Sequence, residues 1–148
     1  MAALGELAMV ANKATSETQA AKRKILLVDD HRAFREELRE FLNEDSSLSV
    51  CGEAEDAQQA LTEVEASHPD MVITDISLHE ETTLRLIHEI KARHPSLPVL
   101  VFSMRDDRVY GVPAVRAGAE GFLAKSEPPQ NVLREIRRIF VSRQGLNT

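Results

Sequence analysis

The sequence predicts a single α/β domain built on a parallel sheet, and three observations carry that prediction. Five short apolar runs recur along the chain: Ile25–Val28, Leu48–Cys51, Met71–Thr74, Val99–Phe102 and Gly121–Ala124. They lack the alternation of a half-exposed strand and are too short for helices, so they read as strands buried on both faces. Each is followed by a segment whose apolar residues return at helical spacing, and the connections are short and polar. Strand and helix in strict alternation are the mark of parallel crossover units.

The elements follow in order. Residues 1–23 are expected to be a flexible N-terminal extension, because Asn12 to Gln19 is polar and has no apolar face to bury. Order begins at Lys24, and the first strand stops at Asp29-Asp30. Phe34, Leu38, Phe41 and Leu42 mark the first helix. The second strand, Leu48 to Cys51, is bounded by Gly52. Asp56 caps the second helix, with Gln59 placed for a capping box, Ala57, Ala60, Leu61 and Val64 on one face and His68-Pro69 as the stop. The third strand ends at Asp75, and Leu84, Ile87 and Ile90 mark the third helix, ended by His94-Pro95. The fourth strand ends at Ser103, and a fourth helix is expected around Asp107 to Ala117, closed by Gly118. The fifth strand ends at Lys125. Pro128-Pro129 then precedes a last helix with Val132, Leu133, Ile136, Ile139 and Phe140 facing inward. The ordered domain is placed at 24–141, with a C-terminal stub at 142–148.

Composition narrows the classes. With 148 residues, 43% hydrophobic and 28% charged, the chain suits one ordinary globular domain. No apolar run approaches a membrane span, so no membrane partner is expected. The single cysteine, Cys51, forbids an internal disulfide, disfavours a cysteine-based zinc site and fits a cytoplasmic protein; it is expected to be a small buried side chain. A net charge of -6 argues against a surface devoted to nucleic acid, and Arg134, Arg137, Arg138 and Arg143 read as a solvated helix face.

The informative polar residues all fall at carboxyl ends of strands: Asp29 and Asp30 after the first, Asp75 after the third, Ser103 after the fourth, Lys125 after the fifth. Sheets of this kind bind ligands there. Any one of these residues alone reads as a turn or cap; together they form a site. Crowded carboxylates need a cation, and an all-oxygen set favours a hard ion, Mg²⁺. Lys125 and Ser103 would supply a charge and a donor to a phosphoryl group. A lone carboxylate can act as nucleophile and form an acyl phosphate, and Asp75 is the candidate. His31 is read as the start of the first helix rather than as a ligand.

These residues carry a resemblance. Lys24 to His31, Met71 to Leu78, Val99 to Met104 and Arg116 to Lys125 resemble the receiver domain of bacterial two-component response regulators, and Asp29-Asp30-His31 most resembles the NarL/FixJ type. The resemblance implies a flavodoxin-like (CheY-like) fold, a doubly wound five-stranded parallel sheet in the order 2-1-3-4-5 with five helices. It implies that Asp75 accepts a phosphoryl group from a sensor histidine kinase. Asp29, Asp30, Asp75 and the backbone carbonyl of Ser77 would hold Mg²⁺, and Lys125 would pair with the phosphoryl group. Ser103 takes the switch hydroxyl position and Phe122 the switch aromatic position. The face of the fourth helix, fifth strand and fifth helix would then change and could pair in a homodimer. DNA binding is expected only if a helix-turn-helix domain follows in a longer protein.

The sequence also departs from that family. His79 to Thr83 is acidic and lacks a Gly at Thr83, so this loop is expected to take a different path, because positive φ is expensive there. Gly111 and Pro113 fall inside the fourth helix, which is expected to break, or to begin near Val112; a harmless loop variation stands beside these readings. Three functions compete with the phosphoacceptor switch: the receiver fragment of a DNA-binding transcriptional regulator, an interaction module that works without phosphorylation, and an aspartate-nucleophile phosphatase. The last is disfavoured, because Asp29-Asp30-His31 lacks Asp-x-Asp spacing.

Overall fold

A computed structural model describes residues 22–76, 80–104 and 108–146. Five strands, β1 (Arg23–Val28), β2 (Leu48–Ala54), β3 (Met71–Asp75), β4 (Val99–Ser103) and β5 (Gly121–Ala124), alternate with five helices. The helices are α1 (Arg32–Glu44), α2 (Ala57–Ser67), α3 (Glu80–Arg93), α4 (Arg108–Ala117) and α5 (Pro129–Leu146). The strands form one sheet in the order β2-β1-β3-β4-β5, and every neighbouring pair is parallel.

Both faces of the sheet are buried, as the continuous apolar runs require. Ile25, Leu27, Met71, Ile73, Leu100 and Phe102 pack with Leu38 and Leu42 of α1 and with Val132, Ile136 and Ile139 of α5. Leu26, Val28, Val72, Val99 and Val101 pack on the other side with Ala60 and Val64 of α2, Leu86, Ile87 and Ile90 of α3 and Ala114 of α4. The chain runs from β1 outward to β2 and then crosses back over β1 to β3 on its other side. This reversal opens a crevice between the carboxyl ends of β1 and β3.

Local chemistry accounts for most boundaries. Asp56 accepts from Gln59 N at 2.8 Å, and Gln59 Oε1 accepts from Glu55 N at 2.9 Å, so the reciprocal arm of the box lands one residue before the cap. Gly118 closes α4 at φ +116°; a Cβ there would meet Lys91 Cγ at 2.8 Å. Among the described residues His68 is the one non-glycine residue at positive φ.

Four expectations need correction. β2 does not stop at Gly52 but continues to Ala54; a register shift in its pairing with β1 between Ile25 and Leu26 absorbs the irregularity. Cys51 is half-buried, with its Sγ 3.6 Å from Ser67 Oγ. α4 neither breaks at Pro113 nor begins at Val112: it runs from Arg108 through Pro113 to Ala117. The missing donor costs one hydrogen bond, while Ala114, beside it, is fully buried against the core and holds the helix in place. Thr83 needs no positive φ, because it stands inside α3, one turn after Glu80. Of the expected loop, Ser77 to His79 lie outside the described residues.

Candidate functional site

The crevice gathers the strand-end residues. Asp29, Asp30, His31 and Asp75 each bring one ligand atom into a group whose members lie within 4.8 Å of one another. Asp29 and Asp75 are buried; Asp30 and His31 are exposed at the rim. Lys125 enters from the β5–α5 connection, its Nζ 2.7 Å from Asp29 Oδ2 and 3.2 Å from Asp75 Oδ2. One ammonium therefore serves two buried carboxylates, and the site keeps an excess of negative charge.

That excess is visible in Asp29. Burial pushes its carboxyl above the usual aspartate range, and the neighbouring Asp75 charge adds to the push. The Lys125 ammonium and the His31 N–H, which donates to Asp29 Oδ1 at 2.8 Å, oppose it. A divalent cation bound here would relieve the same repulsion. The three carboxylates form a hard oxygen set that fits Mg²⁺, with room for water and phosphoryl oxygens. A cleft of about 180 Å³ opens beside Asp30 and Asp75, floored by Thr74, Thr83 and Leu86 and edged by Glu55 and Asp56.

Ser103 and Phe122 follow from register. Val101 pairs with Phe122 and Ser103 with Ala124. Alternation along parallel strands therefore puts Ser103 and Phe122 on one face of the sheet, the face that carries α2, α3 and α4. Ser103 is fully buried at the strand's end, one residue beyond the partner of Asp75 on β4. Phe122 is partly buried and packs against the core on that face. The expected ligand carbonyl of Ser77 lies outside the described residues.

Three residues of the site escape a strand-end reading. Phe34 of α1 lies 4.3 Å below Lys125 Nζ and packs edge-on against Phe102 at 5.9 Å, so an aromatic face supports the ammonium. Arg35 is buried; it donates to the backbone carbonyl of Asp29 and, at 2.9 Å, to Glu53 of β2. It thereby ties the acidic turn to the neighbouring strand. Its spacing to Leu38 and Leu42 put it on the apolar stripe of α1, and an arginine on such a stripe is a signal in itself. Thr83 Oγ1 donates to the backbone carbonyl of Asp75 at 3.1 Å, where the family pattern suggested only a lost glycine. His31 heads α1 as expected, and its ring nitrogen lies within the acidic group beside Asp30 and makes no capping hydrogen bond.

Comparison with known proteins agrees with this fold. The transcriptional activator protein ExaE of Pseudomonas putida is 37% identical over 116 residues, which cover 78% of this chain and 54% of that protein. The transcriptional regulatory protein DegU of Brevibacillus brevis is 28% identical over 116 residues, 78% of this chain and 49% of that protein. The chain thus spans about half the length of the curated relatives it matches. A two-component response regulator of the LuxR family from Aurantimonas superposes with a TM-score of 0.77 at 29% identity, covering 82% of this chain and 87% of that one. The sequence model of the response regulator receiver domain matches residues 25–137, and the chain belongs to that family.

Proposed function

We propose that this receiver is a phosphorylation switch in which Asp75 takes the phosphoryl group of a phosphohistidine on a sensor kinase. The observation that carries the proposal is the shared position of Asp29, Asp75 and Lys125 at the mouth of the β1–β3 crevice. The Asp75 carboxylate forms the new P–O bond as the P–N bond of the donor breaks, and the product is an acyl phosphate. Lys125 neutralises charge on the transferring group, and Phe34 keeps the ammonium from straying. Asp29, Asp30 and Asp75, with the Ser77 carbonyl, would hold Mg²⁺, which when bound neutralises phosphoryl oxygens. Thr83 and Arg35 fix the main chain that bears the two buried carboxylates.

Phosphorylation adds charge at Asp75, and Ser103 and Phe122 transmit it to α4, β5 and α5. An apolar groove of about 400 Å³ between α1 and α5, lined by Phe34, Leu38, Phe41 and Phe102 and reaching Lys125, gives a kinase helix a seat beside the nucleophile. Val115 of α4 is 58% exposed, which suits pairing of two copies through the output face. The protein acts as a phosphoacceptor, not as an enzyme turning over an external substrate, and works in the cytoplasm. Among the described residues no helix is long and apolar enough to cross a membrane. The domain is assigned to residues 24–141 after an N-terminal extension (1–23), and its last helix, α5, continues past 141 to Leu146. Its relatives are transcriptional regulators about twice the matched length, so DNA is a partner only where a helix-turn-helix domain follows in a longer protein.

The test is incubation with acetyl phosphate and Mg²⁺, read by intact mass. One phosphoryl group is expected on the wild-type chain and none on Asp75→Asn. An unmodified wild-type chain beside a labelled control receiver would favour the interaction module that works without phosphorylation.

A further inference from the structure

We infer that His31 is a fourth side-chain ligand of the metal site, so that the site takes a nitrogen-preferring transition ion more tightly than Mg²⁺. The inference rests on reading the crevice as the metal-assisted site of phosphoryl transfer. Its own observation is the placement of the His31 ring: a ring nitrogen belongs to the same 4.8 Å group as carboxylate oxygens of Asp29, Asp30 and Asp75. His31 is the N-cap residue of α1, yet its side chain makes no capping hydrogen bond, so the imidazole is not committed to the helix. Its backbone N–H is bound to Asp29 Oδ1, which anchors the residue beside the acids.

Ligand atoms around a six-coordinate ion with bonds of about 2.1 Å are at most about 4.2 Å apart. Only opposite ligands reach that separation and neighbouring ones stand about 3.0 Å apart, so the group must draw in around the ion. Asp30 and His31, exposed at the rim, can swing inward to do so. Three carboxylates alone suit Mg²⁺; adding an imidazole shifts preference toward ions such as Co²⁺ or Zn²⁺.

The experiment is calorimetric titration of the untagged chain with Mg²⁺ and, separately, Co²⁺ at pH 7.5, for wild type, His31→Ala, His31→Asn and Asp30→Ala. The asparagine variant keeps a good N-cap, so a folding defect in the alanine variant does not decide the result. Co²⁺ affinity is expected to fall about tenfold or more in both His31 variants, while Mg²⁺ affinity stays within about twofold. The Co²⁺-loaded wild type should show a hyperfine-shifted imidazole proton that both His31 variants lack. An unchanged Co²⁺ affinity, or an equal loss for both ions, would overturn the role of His31. If Asp30→Ala changes the affinity for neither ion, the metal-site reading of the crevice itself fails, and the two failures are told apart.

Discussion

Lys125 Nζ lies 3.2 Å from Asp75 Oδ2, and the two side chains are only 5% and 1% exposed. The same nitrogen is 2.7 Å from the buried Asp29. Removing one partner of a buried ion pair leaves uncompensated charge. Lys125→Met is expected to lose about 3 kcal/mol at neutral pH without divalent ions. Added Mg²⁺ should restore part of that loss, because it supplies the missing positive charge. Urea unfolding with and without Mg²⁺ checks both halves. A variant as stable as wild type would refute the electrostatic account of the crevice.

Thr83 bears on the neighbouring main chain. Its hydroxyl donates to the Asp75 carbonyl, and the residue is buried inside α3. Thr83→Val keeps the shape and removes the donor, with an expected cost of about 1 kcal/mol. Thr83→Gly, which restores the residue common in the family, should also destabilise by about 1 kcal/mol, since a helical position gains nothing from glycine. Thermal unfolding of the two variants decides this. A stabilised Thr83→Gly chain would mean that α3 begins later than Glu80.

The strand-end residues were legible because one rule of topology places them: in a parallel sheet every strand ends on the same side. Asp29, Asp75 and Lys125 could be brought together without knowing a single helix position. The helix residues were not, because their contacts depend on how α1 and α3 lie on the sheet. Phe34 looked like one more apolar residue, and only packing turns its ring to Lys125. Thr83 read as a missing glycine because a loop was assumed where a helix turn stands. Pro113 misled for a different reason: local propensity argues for a break, and burial of Ala114 outweighs it.

Asp45 gives a pH dependence away from the crevice. Its carboxyl is held below the usual aspartate range, first by the Ser47 hydroxyl, then by the Ser47 N–H at 2.9 Å and by Arg137 of α5 at 2.6 Å. A carboxyl whose pKa is lower in the folded state stabilises the fold above its unfolded value, about 3.9. That contribution is lost as pH falls through the folded value. Asp45→Asn should therefore be less stable than wild type at pH 7, and the gap should narrow as pH is taken below about 4. Urea unfolding across that range measures it. A gap that stays constant with pH would assign the effect to shape, not charge.

Pro113 sits sixth in a ten-residue helix and denies Val109 the hydrogen bond it would receive one turn later. Pro113→Ala supplies that donor. The expected gain is up to about 3 kcal/mol, reduced by whatever packing the proline ring makes. It should appear as a higher melting temperature and as slower amide exchange at Ala114 and Val115. Labelling of Asp75 by acetyl phosphate should be unchanged, because the carboxylate group of Asp29, Asp30 and Asp75 stands at the ends of β1 and β3 and not on α4. A helix that stiffens without altering phosphoryl uptake would separate the acceptor from the output face. If neither stability nor exchange moves, the Val109 carbonyl already has a partner, and the proline costs this helix nothing.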